Sequence, residues 1–102
     1  MAFDKRFHRL FPDDVSTATR YYDKISVDLG NRFRGCVRNK LRSVSERPQS
    51  YAYIRGTLRG AMVEGFPFLL IFQLIGAEVY FAGLYHASSN PDRWLDRVDQ
   101  NG

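Results

Sequence analysis

The chain has one cysteine, Cys36, so an internal disulfide is excluded. With two histidines and no CxxC pair, a zinc-type cluster is excluded as well. Long apolar runs are missing. The most apolar stretch, EGFPFLLIF from Glu64 to Phe72, leads to Gly76 after about ten residues, and a membrane helix needs about twenty. No lysine occurs beyond Lys40 and no tyrosine beyond Tyr85. Acid is scarce in the middle: between Leu29 and Gly60 the one acidic residue is Glu46. The N-terminal MAFDKRFHRLF carries charge where a signal peptide needs an apolar core, which argues against secretion. The single thiol fits a reducing, cytoplasmic setting. No repeat and no low-complexity tract is present.

What is there is mostly arginine. The 102 residues suit one small domain, 1–102, able to bury a modest core. The net charge of +4 is uneven: eight basic residues against Glu46 give the Leu29 to Gly60 segment +7 and leave −3 for the rest. Twelve of the fifteen basic residues are arginines, whose planar fork suits bidentate contact with carboxylate or phosphate. The segment therefore points to an acidic protein partner or a nucleic acid, against the plainer alternative of a solvated helix face.

Periodicity divides the chain at Pro48. Lys5 to Leu10 reads as a short strand. Pro12, Asp13 and Asp14 suit a helix start, and Phe11, Val15, Ala18, Tyr21, Tyr22 and Ile25 share one helical face. This predicts a first helix over Asp13 to Ser26, broken by SVDLGN. A second is predicted over Gly30 to Glu46, with Phe33, Cys36, Val37, Leu41 and Val44 inward and Arg34, Arg38 and Arg42 opposite. Arg47-Pro48 ends it. Strands are then predicted at Tyr51 to Arg55, Arg59 to Phe66, Phe68 to Ile75 and Glu78 to His86. Gly76-Ala77 supplies a two-residue hairpin turn, and Gly83 marks a bulge or a close backbone approach. Asn90-Pro91 opens a short helical segment with Trp94. The apolar run thus becomes a central strand covered on at least one face by the helices. The fold class is α+β: an N-terminal helical hairpin on a largely antiparallel sheet of four to five strands, with a short C-terminal helical segment. Phe33, Val37, Leu41, Leu70 and Phe72 are the expected core.

The order of these elements joins a set of short motifs. Phe66-Pro67-Phe68 enters the apolar strand, a hairpin leads to a strand ending in His86, and Asn90-Pro91-Asp92-Arg93-Trp94 follows. In this the chain resembles the RelE/ParE toxin superfamily of bacterial type II toxin–antitoxin modules, on the ParE (plasmid stabilization) side, over roughly Lys5 to Trp94. The resemblance implies a cytoplasmic toxin, without cofactor or metal, held in a hetero-oligomer by a cognate antitoxin that wraps it with helical and extended segments. Two activities are implied: ParE-like poisoning of DNA gyrase without catalytic residues, or RelE-like cleavage of mRNA on the ribosome. An attenuated toxin that only binds antitoxin is a third reading. Paired basic residues usually precede Phe-Pro-Tyr in ParE-like chains, where this one has Glu64-Gly65 and Phe68. Ser89-Asn90 stands in place of Arg-Asp.

Metal-free RNA cleavage needs a base, an acid and cations within a hydrogen bond of the reacting oxygens. Arg55, Arg59, His86 and Arg93 are the candidates. A lysine base from the strands and a tyrosine acid after Tyr85 are both missing, which favours the gyrase reading. The expected target surface is then His86, Asn90, Pro91, Arg93 and Trp94. The expected antitoxin surface is Arg34, Arg38, Arg42, Arg55 and Arg59. For each there is a structural alternative: His86 bonding the turn that follows it, the helix arginines facing water, Cys36 in the core, Trp94 pinning the C-terminal segment to the sheet.

Overall fold

A computed structural model of the chain describes residues 2–99. Its elements run β1 (Asp4–Phe7), α1 (Phe11–Ile25), α2 (Val27–Glu46), a 3-10 turn (Pro48–Ser50), β2 (Tyr53–Arg55), β3 (Leu58–Met62), β4 (Phe68–Ile75), β5 (Glu78–His86) and α3 (Asp92–Asp99). The α+β class holds. One sheet has the order β1-β5-β4-β3-β2, antiparallel except that β1 lies parallel to β5.

Several boundaries differ from expectation, each for a local reason. β1 stops at Phe7 rather than Leu10, because the His8 ring turns back and its Nδ1 accepts the Leu10 N–H at 3.0 Å. α1 therefore starts at Phe11, with Pro12 in its first turn and Asp13 and Asp14 at its positive end. The break between the helices is Ser26 alone. Its backbone N–H caps α1 through Tyr22, and its Oγ accepts the Leu29 N–H at 3.0 Å to start α2, three residues earlier than Gly30. Gly30 lies inside α2, where a Cβ would stand 1.7 Å from Asp23 Oδ1. Its missing side chain lets the two helices close up. β3 ends at Met62 rather than Phe66, since Gly65 takes a positive φ of 83° and the Val63 N–H turns to the Phe68 carbonyl at 2.8 Å. β2 begins at Tyr53 because Tyr51 belongs to the exit of the 3-10 turn.

The core fills both sides of the sheet. On the helix side, Phe33, Val37 and Val44 of α2 and Phe11, Ala18 and Tyr22 of α1 pack on Leu70, Phe72, Phe81 and Leu84. On the other side α3 lays Trp94 over Leu58, Ile71, Ala82 and Tyr85. Leu70, Ile71 and Phe72 are all fully buried. This explains the unbroken apolar run: alternate residues serve opposite faces of a central strand, and neither face meets water. Phe33, Val37, Leu70 and Phe72 occupy the core as expected, and Tyr22 meets Phe33 with ring centroids 4.9 Å apart. Leu41 is a correction: it is only half-buried, at the margin of the cluster. Tyr21 and Ile25 are more than half exposed, at 63% and 61%. They share the apolar arc of α1 with the buried Phe11, Ala18 and Tyr22.

Phe33→Ala is expected to cost about 3–5 kcal/mol in denaturant unfolding, because its ring is enclosed by Tyr22, Phe66 and Phe68. Leu41→Ala is expected to cost less than half of that. Equal losses would contradict the core described here.

Candidate functional site

β1 pairs with β5 only from Glu78 to Phe81, and the last backbone bond of this seam is His8 N–H to the Phe81 carbonyl at 2.9 Å. Beyond it, side chains take over the strand's role. Asp14 of α1 accepts the Leu84 N–H at 3.1 Å, and Arg97 of α3 donates to the Ala82 carbonyl at 3.3 Å. Asp14 and Arg97 also pair with each other. Their side chains are only 13% and 14% exposed. This pair joins α1, β5 and α3 at one point. Gly83 makes room for it: a Cβ there would sit 3.0 Å from Arg97 Nη1, 3.1 Å from Asp14 Oδ2 and 2.5 Å from the Tyr85 ring. The sheet register shifts at the same place, between Ile71 and Phe72. Gly83 is thus a close approach beside a bulge.

Two buried polar atoms next to this network have no hydrogen-bond partner among the described residues, His8 Nε2 and Tyr85 Oη. Burial, then Arg97 and Arg9, hold the His8 pKa below its ordinary value, with Asp14 pulling weakly the other way. Burial pushes the Tyr85 hydroxyl up. The guanidinium of Arg97 lies 5.1 Å from the Tyr85 ring centre.

Beside this junction a groove of about 720 Å³ opens between α1 and the end of β5. Tyr21, Tyr22 and Ile25 form one wall, with Asp13 and Asp14 further along it. Pro67, Phe68, Leu84, Tyr85 and His86 form the floor, and Ser89 and Arg93 the far rim. The exposed Tyr21 and Ile25 thus acquire a place. The sequence placed them on the apolar face of α1; helical periodicity cannot distinguish a covered apolar arc from one that lines a cleft.

The expected target surface is brought together in part. His86 and Arg93 both line the groove. His86 stands edge-on to Phe68 at 5.4 Å, and its Nδ1 lies 2.7 Å from Ser88 Oγ and accepts the Ser88 N–H at 3.1 Å. It therefore bonds its own turn. Asn90 starts α3, its Oδ1 accepting the Asp92 N–H at 3.0 Å, with Pro91 next in the turn. Trp94 is a correction to its use as a binding anchor. It is 7% exposed and pins α3 to the sheet.

The expected antitoxin surface divides. Arg34 is held by Asp23 at 2.8 Å and Asn31 at 2.7 Å, so it stitches α2 to α1. Arg59 is held by the Tyr51 carbonyl at 2.6 Å, the Gln49 carbonyl at 3.3 Å and the Tyr53 hydroxyl at 2.7 Å, and lies 3.9 Å over the Tyr53 ring. Arg38, Arg42 and Arg55 are exposed. Cys36 is half-buried at the edge of the core. No group of His, Cys, Asp and Glu among the described residues is placed to hold a metal ion. No helix among them is long and apolar enough to cross a membrane.

No family model matches the sequence, and no curated protein matches it. Solved structures do match. The chromosomal ParDE toxin–antitoxin system of P. aeruginosa contains a chain that superposes with a TM-score of 0.73 at 13% identity, over 83% of this chain and 96% of that one. A double arginine-to-alanine mutant of the E. coli toxin RelE, in its free state, superposes with a TM-score of 0.63 at 20% identity, over 98% of both chains. The fold is that of the ParE and RelE toxins.

The junction is expected to matter for stability. Arg97→Ala leaves Asp14 buried without its partner and should cost about 3 kcal/mol. Adding Asp14→Ala should cost much less than its single effect, as a double-mutant cycle on denaturant midpoints will show. For the same reason, cutting the chain before Asn90 removes Trp94 and Arg97 and is expected to destabilise the far face of the sheet.

His8 sets a pH response. Its folded pKa is depressed, so its contribution is complete above the unfolded value of about 6.5 and is lost as the pH falls below that toward the folded pKa. Stability is expected to decline as the pH falls below about 6.5. His8→Asn keeps an acceptor near the Leu10 N–H and should flatten that part of the profile, measured as denaturant midpoint against pH.

Proposed function

We propose that this chain, as one RelE/ParE-like toxin domain, is the toxin of a type II toxin–antitoxin module. In this reading it is a ParE-like, non-enzymatic inhibitor of DNA gyrase, neutralised in the cytoplasm by a cognate antitoxin. One observation carries the choice between the two activities. Two of the groups available for RNA chemistry, Arg59 and His86, stand apart, although His86 and Arg93 share the groove. Arg59 pairs across the sheet with Phe72, and His86 with Phe68. They are two strands and four residues apart, about 16 Å at ordinary sheet spacings. Strand β4 and its buried Leu70 and Phe72 lie between them. The donors of Arg59 are also engaged by the turn that leads into β2. A toxin that works by occupying its target needs only a surface, and the groove with His86 and Arg93 offers one.

The basic segment supports the partner half of the proposal. Arg38, Arg42 and Arg55 remain exposed on it, suited to steering an acidic antitoxin. Purified protein is expected to block gyrase supercoiling and trap cleavage complexes while leaving ribosome-bound mRNA intact. His86→Ala should then act only modestly. Ribosome-dependent cuts that fall about 10²-fold in His86→Ala would establish the endonuclease instead. Silence in both assays would leave a chain that only binds antitoxin.

A further inference from the structure

The outer side of the helical hairpin is used by neither the core nor the groove. A shallow cleft of about 380 Å³ follows the seam there, between Ser16, Thr19, Arg20 and Asp23 of α1 and Arg34 of α2. Its acid and its hydroxyl are already answered: Asp23 pairs with Arg34 at 2.8 Å, and Thr19 Oγ1 donates to the Val15 carbonyl at 2.7 Å. Positive charge is what remains. Arg20 is exposed on the cleft, and Arg38 and Arg42 follow Arg34 at four-residue steps, on the same side of α2 and open to water. No ion pair to Arg20, Arg38 or Arg42 occurs among the described residues. The acids of α2 stand at its two ends, Asp28 and Glu46, with none between. Gly35 leaves the helix bare beside the stripe, since a Cβ there would meet nothing within 4 Å.

We propose that this outer face of the hairpin binds the phosphate backbone of duplex DNA, with Arg20, Arg38 and Arg42 each neutralising a phosphate. Arg38 and Arg42 are one helical turn apart, about 6 Å along the axis. Duplex DNA carries a charge about every 1.7 Å of its own axis, so each guanidinium meets a phosphate without a fixed register. The chemistry of the surface selects this occupant. A single strand is held by aromatic rings under its bases, and the rings of α1, Tyr21 and Tyr22, line the groove instead. A protein partner is held by buried apolar anchors, and no large apolar side chain is exposed on α2 between Arg34 and Arg42. Contacts to phosphate alone read no sequence. Steering an antitoxin draws only on the field of Arg38 and Arg42, so that role and this one are compatible. The inference rests on the gyrase reading in one respect: the duplex is the one gyrase works on, and holding it through the hairpin leaves the groove free for the enzyme.

The test measures binding of the full chain to a short fluorescent duplex of mixed sequence by anisotropy, over a range of salt. Three phosphate contacts predict a slope of about −2.7 in log affinity against log salt, a loss of about 40-fold between 50 and 200 mM. Arg20→Gln, Arg38→Gln and Arg42→Gln should each reduce the slope by about 0.9 and weaken binding equally on two unrelated sequences. Lys5→Gln, an exposed charge away from the hairpin, should leave the slope unchanged. Unaltered denaturant midpoints will show that the variants fold. An equal loss of slope in Lys5→Gln would overturn the proposal, as the mark of diffuse attraction to a basic chain. So would no binding at 50 mM salt, or tighter binding of a single strand or of polyglutamate than of the duplex. The assay contains no gyrase, so its failure leaves the toxin reading standing; a duplex that binds to a chain without effect on supercoiling would remove the gyrase reading and leave the hairpin face.

Discussion

The Asp14–Arg97 pair is the point on which the two ends of the molecule meet. Without it, β5 would extend beyond the reach of β1 with a buried Leu84 N–H unanswered, and α3 would be tied to the sheet through its apolar side alone. Burying two charges is costly, and their mutual attraction offsets that cost only when other hydrogen bonds complete the site. Here the Leu84 N–H and the Ala82 carbonyl do so. Gly83 is the condition for this arrangement, since any side chain would enter the space the pair occupies.

From that point the rest of the architecture follows in two directions. Toward the helices, the N-terminus of α1 is anchored at Asp14. Its far turns leave Tyr21 and Ile25 uncovered beside the end of β5. Toward the other face, α3 is held down by Trp94 and Arg97, which puts Arg93 on the rim of the same cleft. The groove is thus a by-product of how the edge of β5 is completed. Its apolar wall and cationic rim share a single structural cause.

The arginines show how unlike roles arise from like residues. Arg34, Arg59 and Arg97 hold elements together, each through oxygen acceptors supplied by the fold. Arg38, Arg42 and Arg55 meet water. A guanidinium with its donors engaged contributes little to recognition of a new partner, so only the second group contributes to the long-range field that would steer an acidic protein. The functional weight of the basic segment is therefore smaller than its +7 charge implies.

The sequence by itself determined the elements and their order. The arcs of α1 and α2, the stop at Pro48, the Gly76-Ala77 turn and the apolar run around Leu70 to Phe72 are local patterns, and local geometry obeys them. It also marked Gly83 as unusual and kept His86 and Arg93 among the candidates. Periodicity could not tell that Tyr21 and Ile25 border a cleft, that Trp94 is enclosed, or that Arg59 is bound by its own turn, because each depends on what lies opposite in space. Least legible of all was the partner of Asp14. That aspartate sits where any helix start would welcome an acid, and Arg97 lies 83 residues away. Only the tertiary structure decided that they meet, because the meeting depends on where β1 stops and which side of the sheet α3 returns to.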